Sequence, residues 1–182
     1  MNLANALTLL RLMAVPFLVY LLHDGSYGGA LLLYLFAGLS DAADGFAAKR
    51  LGQVTELGKV LDPIADKALA VALYVTLAWL GWIPFWLVVA VVARDGIILA
   101  GALAFHFVTG NLEVAPTRLS KANTGVQLAF VALVLVDATF GPDLAAWRTN
   151  MAALVLVTTV ASGLQYVVVW LRKALRYEQG IE

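Results

Sequence analysis

The stretch "SDAADGFAAKRLGQVTELGKVLDPIADK", residues 40–67, holds four aspartates: Asp41, Asp44, Asp62 and Asp66. The sequence on either side of it is almost wholly apolar. The flanks decide the fold class, and the window raises the question of what the acids are for. The 182 residues are 62% hydrophobic and 13% charged, with a mean hydropathy of +0.87. A soluble domain is nearer half apolar and a quarter charged, so the composition points to a membrane. One span needs roughly 20 apolar residues, which leaves room for about six spans and little else. The expected architecture is an all-α integral membrane protein, with residues 1–182 forming one domain.

Net charge is zero, so there is no electrostatic case for nucleic-acid binding. The absence of cysteine excludes disulfides, thiolate metal sites and a cysteine nucleophile. The N-terminal apolar run lacks the basic leader of a cleaved signal and has Arg11 inside it, so it reads as a retained first helix.

Working outward from the window, apolar periodicity and turn residues predict six helices: Ala4–Leu22, Gly28–Arg50, Leu61–Leu80, Ile83–Phe107, Ser120–Phe140 and Ala146–Leu175. Turn signals separate most of them: "HDGSYGG" at 23–29, "GWIP" at 81–84, "TGNLEVAP" at 109–116 and "FGPD" at 140–143. With a cytoplasmic N-terminus, the inner loops and helix ends hold Lys49, Arg50, Lys59, Arg118, Lys121, Arg172, Lys173 and Arg176, and the outer loops hold only Arg148. This asymmetry places both termini and the acid-bearing end in the cytoplasm. Trp79, Trp82, Trp86 and Trp147 then read as anchors at the outer interface. Glu56, Glu113, Asp137 and Asp143 read as solvated loop charges, and His23 and His106 as surface or interfacial histidines. The terminal "RKALRYEQGIE" reads as a short cytoplasmic tail able to touch anionic headgroups.

Asp41 and Asp44 are three residues apart and Asp62 and Asp66 four, so each pair shares a helix face. Four bare carboxylates near a membrane cost desolvation and repel one another, and something positive must offset both. Hard oxygen donors without histidine or cysteine suit Mg²⁺ or Mn²⁺, and two such ions can share four carboxylates. Mg²⁺ keeps part of its shell for water and phosphates, so an acidic cluster at a membrane surface suggests a diphosphate-bearing lipid. Gly45, Ala47, Ala48 and Gly58 leave room for such a group to approach the backbone, although tight helix packing alone accounts for any one of them. Asp62-Pro63 has an alternative reading as the start of the third helix, Asp as N-cap and Pro at the first helical position.

The window resembles the signature of the CDP-alcohol phosphatidyltransferases, D-x2-D-G-x2-A-R-x8-G-x3-D-x3-D. Asp41, Asp44, Gly45, Ala48, Gly58, Asp62 and Asp66 fall in register with it, and Lys49 stands where the pattern has Arg. Lysine keeps the charge and loses the planar fork suited to two oxygens. The resemblance implies six transmembrane helices, usually a homodimer, and transfer of a phosphatidyl group from a CDP-linked lipid to an alcohol with release of CMP. It implies that Asp41, Asp44, Asp62 and Asp66 are metal ligands and that Asp66 is also the general base. Donor binding would fall to Gly45, Ala48, Lys49 and Gly58. Asn5 and Thr8 join them through "NALTLLR", whose N-x2-T-x2-R pattern is similar to many bacterial members and puts Asn5, Thr8 and Arg11 on one face. A bacterial inner membrane is therefore the expected location. Arg11 has an alternative reading as a snorkelling interfacial residue.

For the acceptor, Arg94 beside Asp95 reads either as a buried ion pair or as a cation facing the acceptor phosphate. Arg118 and Lys121 read either as further phosphate-binding cations or as ordinary positive-inside charges. "SKANTGVQL" together with the "RD" pair is more similar to the cardiolipin-synthase branch of the family, of the eukaryotic and alphaproteobacterial type. That branch implies CDP-diacylglycerol and phosphatidylglycerol as substrates. A phosphatidylglycerophosphate synthase using glycerol 3-phosphate is the near alternative. A membrane prenyltransferase fits less well, because such sites favour two similar Asp-rich repeats and this chain has one compact motif. A cation or proton transporter would spread its acids over several helices at mid-membrane depth.

Overall fold

The computed structural model describes residues 3–51, 56–109, 117–141 and 143–178, with side chains for all of these except 3–8, 41–51, 56–64, 106–109 and 173–178. Six helices and no strand lie among the described residues: α1 (Leu3–His23), α2 (Tyr27–Leu51), α3 (Glu56–Trp79), α4 (Phe85–Thr109), α5 (Arg118–Phe140) and α6 (Ala145–Glu178). A segment immersed in hydrocarbon must satisfy its own backbone, and a helix does so without a neighbour. Among the described residues, Phe85–Phe105, Arg118–Phe140 and Ala145–Arg172 are long and apolar enough to cross a membrane. Leu9–His23 and Tyr27–Ser40 are shorter apolar stretches of the same kind. This is the make-up of an all-α membrane protein.

Five helices start within two residues of their expected positions, and α3 departs. It begins at Glu56, not at Leu61, so Asp62 is not an N-cap and the second acid pair lies inside the helix. Pro63 misled the sequence reading because its fixed φ suits a first turn. Here α3 passes through Pro63, forgoing the one backbone bond that its missing N–H would make. Glu56 instead puts an acid at the helix start, where the dipole favours it.

The chain divides into two compact units, residues 1–85 with 131–144, and residues 86–130 with 145–182. In the first, α1 packs against both α2 and α3. Its buried side chains follow helical spacing, with Leu18 and Leu22 on α1, Ala30, Tyr34 and Ala37 on α2, and Ala65, Leu69, Leu73 and Leu77 on α3. At the Trp82 end of this unit, the indole Nε1–H donates to the Tyr27 hydroxyl at 3.2 Å, and the two rings meet edge-on with centroids 5.5 Å apart. Gly81 makes the tight turn between α3 and α4 with φ +80°, a backbone conformation that side chains resist. Trp79, Trp86 and Trp147 are exposed.

Asp137 departs from its expected place in a loop. It lies in α5 and is buried, and its Oδ1 accepts the backbone N–H of Leu144 at 2.9 Å. The carboxylate satisfies a donor just before α6, a reason for burial that loop composition does not reveal.

In the second unit a polar seam joins α4, the first half of α5 and α6. Asn123 Oδ1 accepts from Thr158 at 2.8 Å and from Thr159 at 3.0 Å, and Gln127 Nε2 donates to the Thr159 hydroxyl at 3.2 Å. Further along α6, the Trp170 ring lies over Gly101 of α4, where an added Cβ would stand 2.5 Å from the indole. Phe105 flanks the same ring at a centroid distance of 5.5 Å.

Candidate active site

Asp66 is the acid of the window whose side chain the structure describes. It is half-exposed, and its Oδ1 accepts from Arg11 Nη1 at 2.7 Å. Arg11 is 6% exposed, so it does not snorkel to an interface. A guanidinium pulled into a helical bundle needs a carboxylate to offset its desolvation, and Asp66 supplies it. The register of Arg11 in N-x2-T-x2-R was the available signal for this contact, and sequence reasoning left its partner unnamed.

Arg11 and Ser40 line one groove between α1 and α2, and Asp41 follows Ser40 on the same helix. Ser40, just before the acidic window, thus shares a groove with Arg11, and Asp66 within the window pairs with it. The backbone of Asp41, Asp44, Gly45, Ala48 and Lys49 is helical in α2, that of Gly58 and Asp62 in α3, and that of Asn5 and Thr8 in α1. Each acid pair is thus on one face of a continuous helix. The side chains of these nine residues lie outside the described residues, as does any contact they make. Among the described residues no three acids, histidines or cysteines come together.

Asp66, the described acid of the window, fits a divalent metal in its chemistry. It offers hard carboxylate oxygens, is open enough for a hydrated ion to reach, and shares a helix face with Asp62. Mg²⁺ or Mn²⁺ suits such oxygens better than it would nitrogen or sulfur.

The expected acceptor residues lie in the second unit. Arg94 is buried and its guanidinium has several protein acceptors: Nη1 donates to Asp95 at 2.7 Å, Nε and Nη2 to Ser162 at 3.3 and 2.9 Å, and Nη2 to the Ser120 hydroxyl. The ion pair with Asp95 is therefore present; Ser120 opens the "SKANTGVQL" stretch, and Ser162 is a partner that no sequence motif announced. Arg118 and Lys121 are exposed at the start of α5.

A family model described as CDP-alcohol phosphatidyltransferase matches residues 1–171. The chain belongs to the CDP-alcohol phosphatidyltransferase family. It is similar to a cardiolipin synthase (CMP-forming)/mitochondrial hydrolase fusion protein of Schizosaccharomyces pombe, 31% identical over 91% of this chain and 30% of that protein. A cardiolipin synthase (CMP-forming) of Homo sapiens is 32% identical over 89% of this chain and 59% of the human one. A probable phosphatidylglycerophosphate synthase of Mycobacterium tuberculosis is 34% identical over 99% of this chain and 85% of the relative. The chain thus spans less than two thirds of the yeast and human relatives. For a phosphatidyltransferase of this family, the Arg11–Asp66 pair is a described link between its first helix and its signature window.

Proposed function

We propose that this protein transfers the phosphatidyl group of CDP-diacylglycerol to phosphatidylglycerol, forming cardiolipin and CMP. The observation that carries the reading is the ion pair that holds Asp66 of the signature window against Arg11 of α1. The names of the yeast and human relatives support the choice of acceptor.

In the proposed site, Asp41, Asp44, Asp62 and Asp66 hold two divalent ions, Mg²⁺ or Mn²⁺. Bound there, the ions would neutralise the donor diphosphate and the departing CMP. Asn5, Thr8, Gly45, Ala48, Lys49 and Gly58 bind the donor, Lys49 through a single point charge. Arg11 fixes Asp66 through the 2.7 Å contact, so its carboxylate has one orientation toward the acceptor. Asp66 takes the proton of the acceptor hydroxyl. The acceptor oxygen forms a bond to the phosphatidyl phosphorus, the bond from that phosphorus to CMP breaks, and CMP leaves with the electron pair. Arg94, Arg118 and Lys121 would bind the acceptor phosphate, Arg94 while held by Asp95 and Ser162. Six spans, a catalytic end and both termini on the cytoplasmic side of a bacterial inner membrane, one domain over residues 1–182 and a homodimer complete the proposal.

The mycobacterial relative, covered over 85% of its length, favours a second reading with glycerol 3-phosphate as acceptor. One assay separates the two. Purified protein with divalent metal and CDP-diacylglycerol is given either phosphatidylglycerol or glycerol 3-phosphate, and CMP and lipid products are quantified. Cardiolipin formed with the first alone is the expected result. Phosphatidylglycerophosphate formed with the second alone would replace the acceptor, and no metal-dependent CMP release with either would overturn phosphatidyl transfer.

A further inference from the structure

Two cations at the start of α5 are set against the electrostatics of their own helix. Arg118 and Lys121 are exposed, share a helix face at three-residue spacing, and have no acid beside them in the first turn. A helix start carries partial positive charge, so it favours acids and disfavours arginine and lysine. Sorting basic residues to one side of a membrane does not require that they be held still. Here the turn is held. Thr117 is its N-cap: Oγ1 accepts the Ser120 N–H at 3.1 Å, and the Thr117 carbonyl accepts the Lys121 N–H at 3.1 Å. The same residue ties the turn to α6, donating from Oγ1 to Gln165 Oε1 at 2.8 Å and from its N–H to the Tyr166 hydroxyl at 3.3 Å. Tyr166 is buried, so this anchor is rooted in packing. Ser120, within the turn, accepts a bond from Arg94 of α4. One turn therefore carries two exposed cations and touches a third, and Thr117 joins it to α6.

We infer that Thr117 is a positioning residue for the acceptor: anchored on Gln165 and Tyr166, it fixes the first turn of α5 so that Arg118, Lys121 and Arg94 meet one phosphate. The inference rests on the phosphatidyl-transfer reading, which supplies the acceptor and makes these cations its partners. An anion at this turn is attracted by the side chains and by the helix dipole, and it loses both attractions when the turn frays. Apparent affinity for such a ligand scales with the fraction of molecules that hold the turn. One helix cap is worth about a factor of five in that equilibrium, which bounds the effect of losing it. Thr117 touches no reacting atom in this scheme, so its loss falls on acceptor binding and not on the chemical step. The residues assigned to the donor and the metal lie on α1, α2 and α3.

The test uses the full-length protein in detergent with divalent metal, CDP-diacylglycerol, and either dioctanoyl phosphatidylglycerol or glycerol 3-phosphate as acceptor. Steady-state CMP release gives kcat and a KM for each substrate, and calorimetric titration gives the acceptor Kd without turnover. Thr117→Val keeps the shape of the side chain and removes the hydroxyl, Thr117→Ser keeps the hydroxyl, and Tyr166→Phe removes one anchoring oxygen. The expected result is an acceptor KM and Kd raised about two- to fivefold in Thr117→Val and about twofold in Tyr166→Phe. Donor KM and kcat should stay near wild type in both, and Thr117→Ser should match wild type throughout. Unchanged acceptor constants in a folded Thr117→Val protein overturn the inference. So does an equal rise for donor and acceptor, which would reduce the cap to general stability, and so does a wild-type protein that binds neither acceptor. If Thr117→Val does not fold, Tyr166→Phe decides: a rise confined to the acceptor supports the positioning role, and no rise overturns it. Acceptor binding that weakens selectively in Thr117→Val, in a protein whose wild type releases no CMP, would overturn phosphatidyl transfer and leave the positioning role standing.

Discussion

Replacing Arg11 by Met keeps much of the side-chain volume and removes the guanidinium from Asp66. Two opposite charges about 4 Å apart attract by roughly 4 kcal/mol at an effective dielectric of 20. Arg11 is buried and Asp66 is half-exposed, so the cost of desolvating the arginine consumes part of that attraction and solvent screens the carboxylate. The loss of stability should therefore be modest, about 1–2 kcal/mol, well below the 3–5 kcal/mol of a fully buried broken pair. Activity should suffer more, because a base released from its tether is misplaced, and a displacement near 1 Å can cost about 100-fold. Thermal unfolding in detergent reads the first effect, and steady-state CMP release reads the second through separate kcat and KM values. The expected pattern is a small drop in Tm, a kcat lowered about 100-fold, and partial recovery in Arg11→Lys. A folded Arg11→Met protein with wild-type kcat would refute the positioning role, whatever happened to KM.

Asp66→Asn should abolish CMP release while largely preserving binding of CDP-diacylglycerol, measured by equilibrium dialysis, and full activity would remove Asp66 as the base. Metal chelation should stop CMP release in the wild-type protein, with activity restored on adding Mg²⁺ or Mn²⁺; activity that survives thorough chelation would remove the ions. Gly101→Ala should lower stability by about 1–3 kcal/mol, because the new Cβ would fall 2.5 Å from the Trp170 indole; an unchanged Tm would mean that the ring moves aside freely. Asn123→Leu should cost about 1 kcal/mol or somewhat more by depriving the Thr158 and Thr159 hydroxyls of a shared acceptor, again read as Tm.

The helices were legible in the sequence because a membrane leaves the backbone few choices. Long apolar runs ending at "GWIP" and "FGPD" fixed most of the boundaries. The error at α3 came from Pro63, whose local preference for a first turn gave way to continuation of the helix from Glu56. Asp137 was read as a solvated loop charge, whereas its carboxylate bonds the N–H of Leu144 from inside α5. Family membership was legible in the spacing of four aspartates, since a signature is a statement about distance along one chain. The partner of Asp66 was not, because Arg11 lies 55 residues away and only packing of α1 on α3 brings them together. Ser162 was likewise hidden, a plain serine in an apolar helix until Arg94 is seen to bond it.

The seam of Arg94, Ser120, Asn123, Gln127, Thr159 and Ser162 bears on how the protein is made. Each of α4, α5 and α6 carries polar groups that are poorly matched to lipid when the helix is alone and that bond one another when the three meet, the Asn123 amide nitrogen excepted. Interhelical hydrogen bonds in membranes are individually worth only about 0.6 kcal/mol, but a lone buried arginine costs several times that. A newly inserted α4 would therefore hold Arg94 near a polar environment until α5 and α6 arrive. Assembly of these three helices is expected to be concerted, and truncation before α6 should leave an insertion intermediate that quality-control proteases recognise.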